Sequence, residues 1–349
     1  MRLTKIIFIY FFFFWNVAFG AYEAPHHLIS GSPSFMGQGL GLSCHAFDLP
    51  SDVLPCNPAF IAKERERRFA ANTFLGNNVS YIQEAMDLSE GRANSETIQT
   101  LFRRKENDEI QAKVELGYLQ ETFGWSVTPL QANYNTTFQN QALPEISLYA
   151  ALEESAKIQF GSYLGRDWSY GVQLRYVHRR FVASRFFLTD ALAAGGNKIF
   201  EPREQHLLFI EPGVLYAPQD TPWNPQFSVH ALNTGWTQQK YEEVPVNPQY
   251  HLTGSVTPEL TYGKFGLGLD VHWDKSVKRG LDPLTLGSFY EFGILRLFGS
   301  LARLEQNIGF GVFNTWWNTG IVQKTQSIED VNSDVIHTRK LYLFLGVEI

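Results

Sequence analysis

The sequence predicts an all-β fold, a transmembrane antiparallel β-barrel of about 14 strands (12–16), preceded by an irregular N-terminal segment. Three observations carry that expectation. Apolar residues alternate with polar or small ones in run after run. Beyond the first twenty residues no apolar stretch reaches the ~18–20 residues of a spanning helix. The chain is rich in aromatics (28 Phe, 15 Tyr and 8 Trp, 15 % of 349 residues), while charged residues are only 18 %. A barrel hides its hydrophobicity by alternating it, which agrees with a mean hydropathy of −0.18.

Residues 1–20 read as a secretory signal peptide. Arg2 and Lys5 form the positive start, Ile6 to Trp15 the apolar run, and Ala18 and Gly20 the small residues before a cut ahead of Ala21. Removing them takes the net charge from −6 to −8. With no long basic run, nucleic acid is not an expected partner.

Residues 21–66 do not alternate. "HHLISGSPSFMGQGLGLS" is rich in Gly and Ser, and "CHAFDLPSDVLPCNPAFIA" holds both cysteines of the chain. In an exported protein an even pair is most simply a disulfide, here Cys44–Cys56. A metal held by the cysteines with His26, His27 or His45 is the competing reading, but four ligands at zinc-type spacing are missing. No cofactor or metal is therefore expected. Asn57 is placed to cap a helical turn with Pro58 at its first position, where a missing N–H costs nothing, and Ala59 follows. Such a segment either hangs in the periplasm or folds back to plug the lumen.

Residues 67–349 carry the alternation. In "IQAKVELGY" Ile110, Ala112, Val114, Leu116 and Tyr118 oppose Gln111, Lys113, Glu115 and Gly117. In "WSYGVQLRYVHR" Trp168, Tyr170, Val172, Leu174 and Tyr176 share a face, and His178 extends it toward an interface. "KFGLGLDVHW" and "KLYLFLGVEI" alternate likewise, since period two puts each set on one side of a strand. Strands are expected near 67–75, 109–120, 124–131, 145–152, 157–164, 168–180, 205–217, 226–234, 250–261, 264–273, 287–295, 297–303, 307–317 and 336–348, with 79–88 and 319–326 as possible additions. "SEGRANSETIQTLFRRKEN" should form a short helix capped by Asn94 or Ser95, and "TDALAAGGNKIFEPRE" an extended loop.

A soluble sandwich would alternate too. Aromatics at the ends of outward sets (Trp168 and Tyr176, Phe265 and Trp273) favour membrane girdles. Glycine on the opposite face suits a crowded interior. That inward face should hold Lys113, Glu115, Gln173, Arg175, Arg179, Glu211, Lys264, Asp270, His272 and Glu291. Phe209, Leu215, Phe289 and Leu295 should share it. Such mixed lining suits an amphiphile better than an ion, and inward charges of both signs can equally pair across strands to hold the wall. Asp270 and His272, two apart, could form a hydrogen-bonded or proton-shuttling pair. The nine His are scattered and none joins a Ser in a nucleophile elbow, so no enzyme is expected.

The Gly-rich start, acidic loop and "NPA" (Asn57-Pro58-Ala59) before the first strand resemble the outer-membrane barrels related to the long-chain fatty-acid transporter. That superfamily includes TraF-like and PorV-like barrels. "EPGVLYAP" (Glu211 to Pro218), "VHALNTGW" (Val229 to Trp236), "GLGLDVHW" (Gly266 to Trp273) and Arg296 in a late strand are similar in kind. Phe60 and Ile61 replace the small residues usual after "NPA", and the chain ends in Ile349 rather than an aromatic. The resemblance implies a plug inside the barrel and the outer membrane of a diderm bacterium, with its lipid as surroundings. It implies either passive uptake of a small hydrophobic or amphiphilic compound or a non-transporting barrel serving secretion, conjugation or surface-attachment proteins.

Overall fold

The computed structural model describes residues 28, 35–49, 53–63, 67–78, 80–92, 95–104, 108–140, 144–187, 189, 200–275, 283–329 and 335–349. The expected signal peptide lies outside them, as does most of the insert at 189–204.

The strands are β1 (Arg68–Gly76), β2 (Asp108–Gln120), β3 (Phe123–Asn140), β4 (Pro144–Tyr163), β5 (Trp168–Phe187), β6 (Arg203–Tyr216), β7 (Gln226–Leu232), β8 (Gly235–Thr237), β9 (Gln249–Val256), β10 (Glu259–Leu260), β11 (Gly263–Trp273), β12 (Leu284–Phe292), β13 (Leu295–Ala302), β14 (Glu305–Phe313), β15 (Trp317–Glu329) and β16 (Val335–Glu348). Neighbours in sequence pair antiparallel, β7 joins β9, β9 joins β11, and β16 returns to β1 from Ala70↔Glu348 to Gly76↔Tyr342. The wall is thus a closed 14-stranded barrel, with β8 on β6 and β10 on β11 as short additions. At the seam Phe69 and Ile349 exchange backbone hydrogen bonds of 2.8 and 2.9 Å. Closure gives each of the 14 wall strands a partner on both sides.

Two expectations change places within the count. The segments 145–152 and 157–164 are one strand, β4. Its polar middle keeps the ladder to β5 unbroken, with Glu153 facing inward and paired with Arg179, while β3 bulges opposite it between Thr128 and Gln131. Conversely 317–329 is a full wall strand. Of the stretch 79–88, residues 80–88 are not a strand: they fall in the helix Ser80–Ser89. The expected second helix spans Ser95–Arg104.

Alternation sorts the side chains as the pleat requires. Leu267, Leu269, Leu286 and Leu343 point outward and are 40, 42, 44 and 50 % exposed. Large aromatics flank this band, with Trp168 and Trp223 toward the short-turn end and Trp236, Tyr250 and Trp273 toward the other. The long-loop end of the outer face is covered over β2 to β5. There the two helices pack on Ile110, Tyr134, Ile146, Leu148, Val182 and Phe186. Tyr81 stacks on Tyr134 at 5.0 Å, and Phe102 meets Phe186 edge-on at 5.9 Å. Ile110, outward as expected, is therefore buried under protein rather than set against lipid.

The N-terminal segment, over residues 35–49 and 53–63, lies inside the barrel. It runs as a helical turn (Phe35–Leu40), a 3-10 turn (Gly41–Ala46) and a second 3-10 turn (Pro58–Lys63). Phe35 stacks on Phe344 at 3.9 Å, and Phe47 meets Phe289 edge-on at 5.2 Å. The inward glycines mark these approaches. A Cβ on Gly171 would strike the backbone of Pro58, and one on Gly268 the ring of Phe47. The wall is glycine-rich where the plug comes closest.

Candidate functional site: the plug and its wall

The plug is held at the turn "NPA". Pro58 brings no N–H, and the Ala59 N–H donates to Asn57 Oδ1 at 3.0 Å, a side-chain cap. The same side chain reaches the wall, where Asn57 Nδ2 donates to Ser228 Oγ on β7 at 2.9 Å. The wall reaches the plug's carbonyls in return. Ser169 Oγ donates to Ala59 O at 3.1 Å, Gln159 Nε2 to Pro55 O at 3.0 Å, and Ser255 Oγ to Ala46 O at 2.6 Å. These bonds satisfy backbone groups that no sheet ladder serves.

A disulfide joins Cys44 to Cys56, with Cα atoms 6.1 Å apart. It fastens the turn Gly41–Ala46 to the chain just before Asn57. His45 Nδ1 lies 3.1 Å from the Cys56 carbonyl across the same clamp. Burial and the neighbouring His251 push the His45 imidazole down to about 3, so it is neutral. Nearer the short-turn end, burial raises the Asp48 carboxyl and lowers the Lys63 ammonium, each opposed by the other's charge.

Most charged residues expected to line the lumen are paired, some with one another and some with wall residues outside that set. Lys113 bonds Glu115 at 2.7 Å, and Lys157 lies 3.5 Å from that carboxylate. Arg175 pairs with Glu211 at 2.6 Å, donates to Asn233 at 2.5 Å and lies over the Phe209 ring at 4.4 Å. Gln173 donates to Glu211 as well. Arg179 pairs with Glu153 at 2.7 Å, and Arg296 with Glu291 at 2.6 Å.

Other members of the set depart from expectation. Asp270 is buried, but its carboxylate accepts from His251 Nδ1 at 3.0 Å rather than from His272, which is only partly buried. The diagonal cross-strand neighbour is closer in space than the residue two along its own strand. Lys264 stands exposed at the short-turn end. Phe209, Leu215 and Phe289 are buried on the inner face, whereas Leu295 points outward and is 39 % exposed. The tight turn at Gly293, with φ of 59°, restarts the alternation, and parity carried across it gives the wrong face for Leu295.

Sequence reasoning did not single out Ser169, Ser228, Ser255, His230 or His251. Within their expected strands the signal was present. Ser228 and His230 alternate with outward Phe227 and Val229, and His251 and Ser255 fall on the face opposite Tyr250 and Leu252.

The wall has one interruption beside the plug. β6 pairs with β7 over Gly213–Tyr216 and with β8 over Leu207–Phe209; between them the Ile210 N–H donates to the Thr234 carbonyl at 2.7 Å, so that only Glu211 and Pro212 stand outside the ladder, as at a bulge. Asn233 turns there with φ of 55°, its N–H donating to Glu211 at 2.9 Å. Pro212 has no N–H to offer a ladder.

Fold and plug together define a class, a 14-stranded barrel occupied by its own N-terminal segment. The solved structures of similar fold include two toluene transporters. TodX of P. putida is 8 % identical with a TM-score of 0.52, and TbuX of Ralstonia pickettii is 10 % identical with a TM-score of 0.51. Each comparison covers 92 % of this chain and 98 % of the other. At such identity the likeness establishes the fold. No protein-family model and no curated protein matches the sequence.

Proposed function

We propose that the protein is exported by its N-terminal leader to the outer membrane of a diderm bacterium and there serves as a passive channel for small hydrophobic compounds. Residues 35–63 close it in the described state. The observation that carries this reading is the plug itself: a disulfide-bonded segment hydrogen-bonded to β4, β5, β7 and β9 inside a 14-stranded wall. Apolar plug–wall contacts such as Phe35 on Phe344 separate without stranding charge, and the charged pairs stay in the wall. The toluene transporters of similar fold favour an aromatic or similarly small apolar cargo.

The test is initial uptake of radiolabelled toluene by diderm cells that lack a hydrocarbon channel. Expression should raise the rate several-fold and leave uptake of a disaccharide unchanged. Equal toluene uptake with and without the protein would overturn the reading. It would favour instead a non-transporting barrel that serves a secretion, conjugation or surface-attachment machine.

A further inference from the structure

Three histidines from three separate elements meet inside the barrel. His45 comes from the plug turn, His230 from β7 and His251 from β9. Their ring centroids are 4.2 Å (His45–His230), 4.6 Å (His230–His251) and 4.9 Å (His45–His251) apart. One ring nitrogen from each lies within 4.8 Å of the other two. All three are buried, at 7, 2 and 1 % exposure.

Their hydrogen bonding is incomplete in a particular way. His230 has no partner at either ring nitrogen, and His251 has none at Nε2. Buried polar atoms normally find partners, so a fully buried imidazole with both nitrogens idle calls for an explanation. The outer nitrogens of the other two are held. Asp270 accepts from His251 Nδ1, and the Cys56 carbonyl faces His45 Nδ1. Metal-ligating histidines are oriented by such carboxylate and carbonyl contacts on the far side of the ring.

We propose that His45, His230 and His251 bind one divalent transition-metal ion, of the zinc, cobalt, nickel or copper kind, inside the barrel. Neutral imidazoles suit those ions, whereas magnesium and calcium require oxygen ligands. Zinc sits about 2.0–2.1 Å from imidazole nitrogen, which puts the nitrogens roughly 3.3 Å apart, so the three rings, now with nitrogens within 4.8 Å, draw together to close around the ion. Cys44 and Cys56 are bonded to each other and take no part. One ligand belongs to the plug and two to the wall, so binding the ion and seating the plug are coupled. The ion pins the plug to β7 and β9.

Cobalt(II) tests this by its colour. The full-length protein in detergent is loaded with cobalt chloride, passed through gel filtration and analysed for retained metal and visible absorption. About one cobalt per chain should remain, with the intense visible bands of a low-coordinate nitrogen site. His230→Gln should weaken retention at least about tenfold. His45→Gln should do the same without altering a wall strand, and each variant's barrel is checked by its heat-modifiable gel shift. His206→Gln should leave retention unchanged. That residue belongs to a separate cluster with His178 and Glu204, none of them buried. No retained cobalt, or retention undiminished in His45→Gln and His230→Gln, overturns the proposal. So does loss confined to His206→Gln, which would assign the ion to that second cluster.

Discussion

Glu211 has no exposed surface, and its carboxylate is shared by Arg175, Gln173 and the Asn233 N–H. Removing one member of such a group strands the others out of water. Glu211→Ala should therefore cost about 3–5 kcal/mol, whereas Asp220→Ala, which breaks an exposed pair with Arg166, should cost under about 1 kcal/mol. Urea unfolding in lipid vesicles measures both, and equal losses would show that the wall charges are solvated rather than locked together. On the other face, Leu269→Arg should cost ~2–4 kcal/mol if it meets the bilayer midplane. A folding yield in lipid equal to that of the unaltered protein would put Leu269 away from the bilayer. The faces of Leu269 and Glu211 were legible from period two alone. The partners were not, because alternation assigns a side and says nothing of which strand lies opposite. Asp270 bonds His251, 19 residues away, and that distance closes only when β9 and β11 pair.

At the scale of elements, the plug depends on a short covalent clamp more than on secondary structure. The bond between Cys44 and Cys56 closes a sequence separation of 12, which restricts the unfolded segment by roughly 3 kcal/mol on the chain-entropy account. Replacing both cysteines with serine should leave the heat-modifiable shift of the barrel intact and expose the chain near Cys44–Asn57 to protease. Unchanged protease resistance in that variant would mean that hydrogen bonds to the wall hold the plug unaided. Gly171→Leu makes a complementary test, since its side chain would occupy the place of the Pro58 backbone. It should displace the plug while β5 still pairs with β4 and β6, seen as new protease cleavage near Pro58 in a barrel that still folds. The lack of alternation and the cysteine pair marked this segment as unlike the wall strands, and the disulfide joins Cys44 to Cys56. The sequence did not announce that helices Ser80–Ser89 and Ser95–Arg104 would lie against the outer face. Their apolar residues find partners on β2 to β5, which only the assembled sheet brings side by side.

At the scale of the molecule, the wall closes on itself and the described part of residues 35–63 lies within it. The even strand count and the closure of β16 on β1 follow from alternating segments joined by turns, and the count was legible although β4 was read as two strands and β15 only as a possible addition. The proposed function requires residues 35–63 to close a channel that the wall alone would leave open. Liposome swelling with small neutral solutes tests it most directly, comparing the mature protein with a form lacking residues 21–66, both shown to be folded by heat-modifiable mobility. Near-background swelling is expected for the mature protein and a several-fold faster rate for the shortened form. Equal rates from two folded barrels would contradict it.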